Sequence, residues 1–524
     1  MKVLNRWSAA GTFPSVTFRP AYKKALLYAL SFVIVAFAAM AVRFLFASRP
    51  SVGGVDFYYY ILFARDLASG ATDVPHERYV YFPGVYSFWK TVIQLSDGGL
   101  PSLQWAFLGV LLVNGVLTGA ILNSLTGYWQ AGVLATGVYL VVASRIEGLA
   151  GITEPIATIP YLMGLWLWIA LRGSKEIPFG LLALGAGFGL ALFSKQQGGL
   201  LALGAIGLLP ALQYTAPSTR YTIPQLLVVP VVACGVFLSA MWLEGGGLAA
   251  VKTGLLFATE YQAQGSWTEH VERVFSVTQP ISNLFLSGCV LWLVMWFTRK
   301  RLPIVSDGVM LTLGIAIFSV IGCLLQFSKR GYLHYALLLL PSAIITAGLA
   351  IYIITRFLSS HTANWPRFAA PSVLFGTIAF LLINSAGTTS LVKDAAMRMA
   401  SPTRGAIQEE IGARFAPVCS RLRSGSELLL IPPRQKRVHW FCGTRPLALK
   451  VKSTWDETDP VKYLPVLTAP KTENVFLLSE NYGPYEEQFW KQGDWSEFIR
   501  EMERLGFRQT FTFEVGRLYQ KTSL

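Results

Sequence analysis

Only 14% of the 524 residues are charged, so where the charges gather limits the chemistry open to this chain. One gathering is the stretch 43–97, with Asp56, Arg65, Asp66, Asp73, His76, Glu77, Arg78 and Lys90. The others stand at the ends of long apolar runs: Glu147, Glu154, Lys195, the stretch 244–273, and Lys329 to His334. A carboxylate beside aromatic rings suits a general base acting on a hydroxyl. Asp56 fits that description, since Phe57, Tyr58, Tyr59 and Tyr60 follow it, and Glu154 is the reserve carboxylate. Fixed cations suit an anion that gains charge as it departs, and Lys195, Lys329 and Arg330 are the candidates. Plainer readings stand beside these. Asp56 is a good helix N-cap, Glu154 marks the edge of an apolar run, and Lys195 is able to snorkel to lipid phosphates.

The elements that must position these groups are membrane helices. A mean hydropathy of +0.47 with 53% hydrophobic residues means that lipid is the solvent for most of the chain. A bilayer core takes about 20 apolar residues per helix. Charge-free windows at 25–42, 98–144, 155–171, 177–194, 196–219, 221–243, 274–298, 308–328, 331–355 and 368–392 predict eleven spans, the 47-residue window holding two that turn at Asn123–Gly127. In the 43–97 loop, Phe57, Tyr60, Ile61, Ala64 and Leu67 share a helical face, which predicts an amphipathic helix along the membrane interface. Val85 to about Leu95 predicts a second one, with Tyr86 and Trp89 as anchors. Lys2, Arg6, Arg19, Lys23 and Lys24 place residues 1–24 in the cytoplasm, and the first apolar run has no small-residue cleavage site, so it is read as a retained anchor. Eleven spans then put the C-terminal tail outside.

Charge density marks the tail's boundary. Residues 1–392 carry 24 Lys/Arg and 13 Asp/Glu, whereas the last 132 carry 20 and 16. The expected architecture is therefore an all-α polytopic membrane domain, 25–392, followed by a small soluble α/β domain, 393–524. In that domain Glu427–Ile431 and Val475–Leu478 read as strands, Tyr485–Leu505 as an amphipathic helix, and Thr510–Tyr519 as a hairpin around Gly516. Cys419 and Cys442 fall in the tail, and an oxidising compartment would let them pair.

Several function classes are excluded or weakened. The net charge of +15 is scattered, with no basic stripe and no zinc or helix-turn-helix signature, so a nucleic-acid partner is not expected. Gly185, Gly187 and Gly189 lie within an apolar span and read as packing glycines rather than a dinucleotide loop. No Asp-x-Asp motif occurs to hold a metal-bound nucleotide sugar. The spans hold no Asp, Glu, Lys or Arg, which weighs against an ion-coupled transporter.

The run Gly54-Val55-Asp56-Phe57-Tyr58-Tyr59-Tyr60, then Ala64-Arg65 and Gly70, then Tyr79-Val80-Tyr81-Phe82-Pro83, resembles the first external loop of C-type (GT-C) glycosyltransferases. It is most similar to the polyprenyl-phosphate-mannose-dependent enzymes of glycosyltransferase family 87 and the protein O-mannosyltransferase-like group. Phe82-Pro83 stands where those enzymes carry two prolines. Thr153-Glu154-Pro155, Phe193-Ser194-Lys195-Gln196 and Arg330-Gly331-Tyr332-Leu333-His334-Tyr335 resemble further elements of the same families, in the same order. The resemblance implies an integral-membrane enzyme moving a mannose-like hexose or a pentose from a polyprenyl-phosphate carrier to a lipid, glycan or protein acceptor. It implies inversion by a single displacement on the outer face of a bacterial inner membrane. On that basis Asp56 is the expected base, Lys195, Lys329 and Arg330 the donor-phosphate ligands, and Tyr59, Tyr60, Arg78, Tyr81, His334 and Tyr335 the substrate contacts. Neither metal nor cofactor is expected beyond the lipid-linked donor. The rival reading is a lipid-linked-glycan transporter or flippase.

Overall fold

The structure is a computed structural model. It describes Val33, Ile34, Phe37 and residues 55–70, 82–96, 98–146, 151–171, 177–213, 221–244, 251–252, 266–279, 281–298, 306–326, 333–361, 407–432, 437–446, 463–468, 472–479, 487, 489–491 and 495–522. The 368–392 window, most of 25–42, the cytoplasmic segment 1–24 and the 392/393 boundary lie outside these residues.

Apolar runs between polar breaks become helices wherever they are described. They are α1 (Val55–Ala68), α2 (Gly84–Leu95), α3 (Leu100–Thr126), α4 (Trp129–Arg145), α5 (Glu154–Leu171), α6 (Ile177–Ser194), α7 (Ile223–Leu243), α8 (Trp267–Val277), α9 (Ile281–Thr298), α10 (Asp307–Leu325) and α11 (Ala336–His361). Five of them (α3, α5, α7, α10 and α11) contain stretches long and apolar enough to cross a membrane. The 47-residue window splits as expected: Gly127 caps α3 in the left-handed region at φ 73°, its N–H donating to the Asn123 carbonyl. Gln196–Gln213 forms a tightened 3-10 helix. At about 2.0 Å rise per residue, its 18 residues reach roughly 36 Å, beyond the ~30 Å hydrocarbon core. The 274–298 window is not one straight span. Its first residues belong to α8, which meets α9 at 108°.

The bundle is closed by small residues at helix contacts. A Cβ on Gly187 would strike the Pro160 carbonyl and Gly164 of α5, whereas Gly185 and Gly189 lie against Val229 and Ala233 of α7. Gly207 likewise meets Gly314 of α10. Close backbone approach of this kind drives helix association where lipid removes the usual apolar driving force. Large apolar side chains such as Leu227, Val231 and Trp242 on α7 and Val290 and Phe297 on α9 stay exposed, the pattern of a lipid-facing wall.

α1 departs from the expected interfacial helix. Phe57, Tyr58, Tyr60, Ile61, Leu62, Phe63 and Ala64 are all buried, so the helix is covered on every side rather than floated on one face. Helix α2 covers part of it, Phe63 meeting Tyr86 with ring centroids 4.5 Å apart. The soluble domain covers another part through Arg65. α2 itself keeps the expected one-sided pattern, burying Val85, Tyr86 and Trp89 and exposing Leu95.

The C-terminal α/β region, expected to be soluble, begins with α12 (Ile407–Cys419), β1 (Glu427–Ile431), α13 (Arg437–Phe441) and β2 (Arg445–Pro446). It continues with α14 (Leu464–Leu467), β3 (Asn474–Leu478), α15 (Ser496–Arg504), β4 (Phe507–Phe513) and β5 (Gly516–Lys521). Its sheet runs β2-β1-β3-β5-β4, the first three strands parallel and β5 antiparallel to β3 and β4. Strand alternation splits the core: Leu429, Ile431, Val475 and Leu477 pack on α15 and Trp495, while Leu428, Leu430, Phe476 and Leu478 pack on Phe415, Val418 and Val438. The expected helix 485–505 is broken at Trp495: residues 487 and 489–491 are helical before it, and Ser496–Arg504 is a helix after it. Cys419 and Cys442 are joined as a disulfide that ties α12 to the end of α13.

Candidate active site

The antiparallel hairpin of α5 and α6 brings the start of one helix and the end of the other to the same end of the bundle. Glu154 is the first residue of α5 and Lys195 follows the last residue of α6. Their side chains, 0% and 2% exposed, form an ion pair across 41 positions of sequence. His334 Nε2, just before α11, lies 3.9 Å from the same Glu154 oxygen, and the Lys195 ammonium lies 5.6 Å from the Tyr335 ring centroid. The Thr153 hydroxyl donates to the other Glu154 oxygen at 3.5 Å. The amino end of α5 also favours a carboxylate there through its dipole. Four side chains singled out separately from the sequence thus form one buried cluster: Glu154, Lys195, His334 and Tyr335.

The first loop is pressed onto this cluster at two points. Gly84, opening α2, sits so close to the end of α6 that a Cβ would lie 2.8 Å from the Ser194 Cα and 2.9 Å from the Phe193 carbonyl. Gly151, three residues before Glu154, has φ +71° and meets the Phe57 ring, where a Cβ would lie 2.5 Å from a ring carbon. Phe57 follows Asp56, so the contact fixes the Asp56 backbone next to the segment that leads into Glu154. Asp56 itself is the second residue of α1, inside its first turn rather than flanking it.

Polar residues that a search for charges passes over anchor the cluster from behind. Asn114 in α3 is fully buried and donates from Nδ2 to the Pro155 carbonyl at 2.7 Å, while its Oδ1 accepts from the Thr158 hydroxyl at 2.7 Å. These bonds hold the first turn of α5, and with it Glu154. One turn further along, the Tyr161 hydroxyl is 2.8 Å from the Ser342 hydroxyl of α11. The available signal was an Asn and a Thr inside otherwise apolar windows, since buried amides and hydroxyls must find partners.

Other expected residues fall differently. Tyr60 is 2% exposed and packs at 6.3 Å from the Tyr86 ring, inside the α1–α2 interface, whereas Tyr59 stays half-buried. Arg78, Tyr81, Lys329 and Arg330 lie outside the described residues, as does the Asp56 side chain. Among the described residues, no three of His, Cys, Asp and Glu gather as metal ligands.

No family model and no curated protein matches the chain. Solved structures do. ArnT from Cupriavidus metallidurans bound to undecaprenyl phosphate superposes with a TM-score of 0.55 at 13% identity, over 94% of this chain and 98% of that one. The oligosaccharyltransferase AglB from Archaeoglobus fulgidus, in complex with an inhibitory peptide and a dolichol-phosphate, superposes with a TM-score of 0.52 at 11% identity, over 95% of this chain and 74% of that one. The chain shares its fold with these two proteins, along nearly its whole length.

Proposed function

We propose that this protein is an integral-membrane glycosyltransferase that moves a sugar from a polyprenyl-phosphate carrier to an acceptor hydroxyl on the extracytoplasmic face. The observation that carries the reading is the buried Glu154–Lys195–His334 cluster at one end of an apolar bundle, directly against the loop helices that bear the C-type glycosyltransferase-like run. Two solved structures with this fold, one holding undecaprenyl phosphate and the other dolichol-phosphate, support a lipid-phosphate donor.

In this reading the acceptor atom attacks the anomeric carbon as the bond from that carbon to the phosphate oxygen breaks. Asp56 takes the acceptor's proton, and the polyprenyl phosphate leaves with the bonding pair. The anomeric configuration inverts. Lys195, with Lys329 and Arg330, faces the phosphate as it gains charge. Glu154, engaged by Lys195 and Thr153, serves as the counter-ion that aims Lys195. Tyr59, Arg78, Tyr81, His334 and Tyr335 contact substrate, with Tyr60 supporting them from the core. The sugar is a hexose of the mannose type or a pentose, and the acceptor is a lipid, glycan or protein. A bacterial inner membrane with a cytoplasmic N-terminus and an outward soluble domain suits the Cys419–Cys442 disulfide, since disulfides persist in oxidising compartments.

The test is the response of donor use to Lys195→Ala and Arg330→Ala. Phosphate gains charge in the transition state, so the loss in rate exceeds the loss in donor affinity. Unchanged rate and affinity in both variants would return these cations to a structural role.

A further inference from the structure

The soluble domain meets the carboxyl end of α1 through Arg65. The Arg65 guanidinium, in the last turn of α1, donates from Nη2 to the Thr444 carbonyl at 2.8 Å, and its Cζ lies 5.5 Å from the centroid of the Trp440 ring. Thr444 is fully buried, so Arg65 supplies its carbonyl with a hydrogen bond that water does not. The mount behind these two residues is stiff. The Thr444 hydroxyl pairs with His439 Nδ1 at 3.1 Å, and the Thr444 N–H donates to the His439 carbonyl. Flanking them, the Gly425 N–H donates to the Gly443 carbonyl and the Arg445 N–H to the Ser426 carbonyl. The Cys419–Cys442 disulfide holds the same turn from its other side. Burial pushes the Arg65 guanidinium below its usual value, and Arg445 close by adds to that while Asp66 opposes it.

We propose that Arg65, Trp440 and Thr444 form a positioning clasp through which the soluble domain sets the placement of α1, and with it Asp56. The proposal rests on the glycosyltransferase reading for the role of Asp56. The clasp itself is a matter of geometry. α1 is held at its amino end by Phe57 against Gly151 and along its length by Tyr86. Its carboxyl end reaches the soluble domain through Arg65, so releasing that end lets the helix pivot about its amino-terminal contacts. A displacement of about 1 Å at a reacting group costs on the order of a hundredfold in rate. The soluble domain is then a working part of the transferase rather than a cap.

The experiment uses the full-length protein in detergent with three variants: Arg65→Met, Trp440→Ala and the double variant. Hydrogen exchange of the peptide covering 55–68 reads the clasp without reference to activity. The expected result is faster exchange there in each single variant, with 100–126 and 154–171 unchanged. On the folded fraction, kcat falls ten- to hundredfold while donor KM moves less than threefold, and Arg65→Lys recovers part of the loss. The double variant is no worse than the worse single, because both residues act through one contact. Unchanged exchange at 55–68, or additive losses in the double variant, would overturn the clasp. Altered exchange with no transfer by the wild-type protein from any polyprenyl-phosphate sugar would leave the clasp standing and remove the glycosyltransferase reading instead.

Discussion

Replacing Glu154 by glutamine keeps the volume of the side chain and removes its charge. Because the carboxylate is 0% exposed and Lys195 only 2%, the change removes the anion that pairs with a buried ammonium. Removing one partner of a buried pair costs about 3–5 kcal/mol. The Tyr335 ring at 5.6 Å offers about 0.5–2 kcal/mol in return. A large domain loses about 2 °C of melting temperature per kcal/mol, so the midpoint should fall by roughly 5–10 °C. The assay is thermal unfolding of detergent-purified protein at one fixed scan rate, for Glu154→Gln, Lys195→Met and the two combined. Lys195→Met strands the carboxylate and should lose a similar amount. The double variant, with no buried charge left over, should be more stable than either single. Two singles within about 1 °C of wild type, or losses that add in the double, would refute the buried-pair reasoning.

Gly84→Ala should misplace α2 against α6, since the new methyl meets the Ser194 and Phe193 backbone as well as the Phe193 ring, and transfer activity should fall at least tenfold even in protein that still elutes as a single species. Asn114→Leu removes the bonds to Pro155 and Thr158, which keep their own 2.9 Å hydroxyl-to-carbonyl bond; about 1–2 kcal/mol of stability should go with the lost pair, read by the same thermal assay. The Cys419–Cys442 bridge closes a loop with a sequence separation of 23, worth about 3 kcal/mol in the chain-entropy model. Alkylation under non-reducing denaturing conditions, followed by mass measurement, should leave both cysteines unlabelled, and two labelled thiols would contradict the pairing.

How much of this was legible beforehand depends on the kind of signal. Charge-free windows located α3 to α7, α10 and α11, because lipid permits almost nothing else in such a run. The strands of the soluble domain were legible for a similar reason: Leu428–Ile431 and Val475–Leu478 are apolar runs of strand length bounded by polar residues. The convergence of Glu154 and Lys195 followed from counting spans, since an antiparallel pair returns the chain to the side it left. Their direct pairing did not follow, because spacing along the sequence says nothing about which partner a buried charge selects. Periodicity misjudged α1. Tyr58 and Leu62 lie off the predicted apolar face, yet both are buried, a tertiary effect no local pattern carries. Absence of charge alone does not mark the turn between α8 and α9, whereas Thr278-Gln279-Pro280 is a break signal inside that uncharged window. Asn114 escaped because a search for ionisable groups ignores amides, although an amide inside a span must be satisfied by a neighbouring helix.

The central claim is transfer from a polyprenyl-phosphate sugar with Asp56 as base, and release of the free carrier measures it most directly. Purified protein in detergent is incubated with a panel of polyprenyl-phosphate hexoses and pentoses and a cell-envelope extract as acceptor, and free polyprenyl phosphate is quantified over time. Wild-type protein should release carrier from at least one donor, in step with sugar appearing on acceptor. Asp56→Asn, which caps or begins a helix about as well as Asp, should fold normally and release none above background. Carrier release by Asp56→Asn at the wild-type rate would contradict the assignment of the base, and no release by wild-type protein from any donor in the panel would contradict the transferase itself.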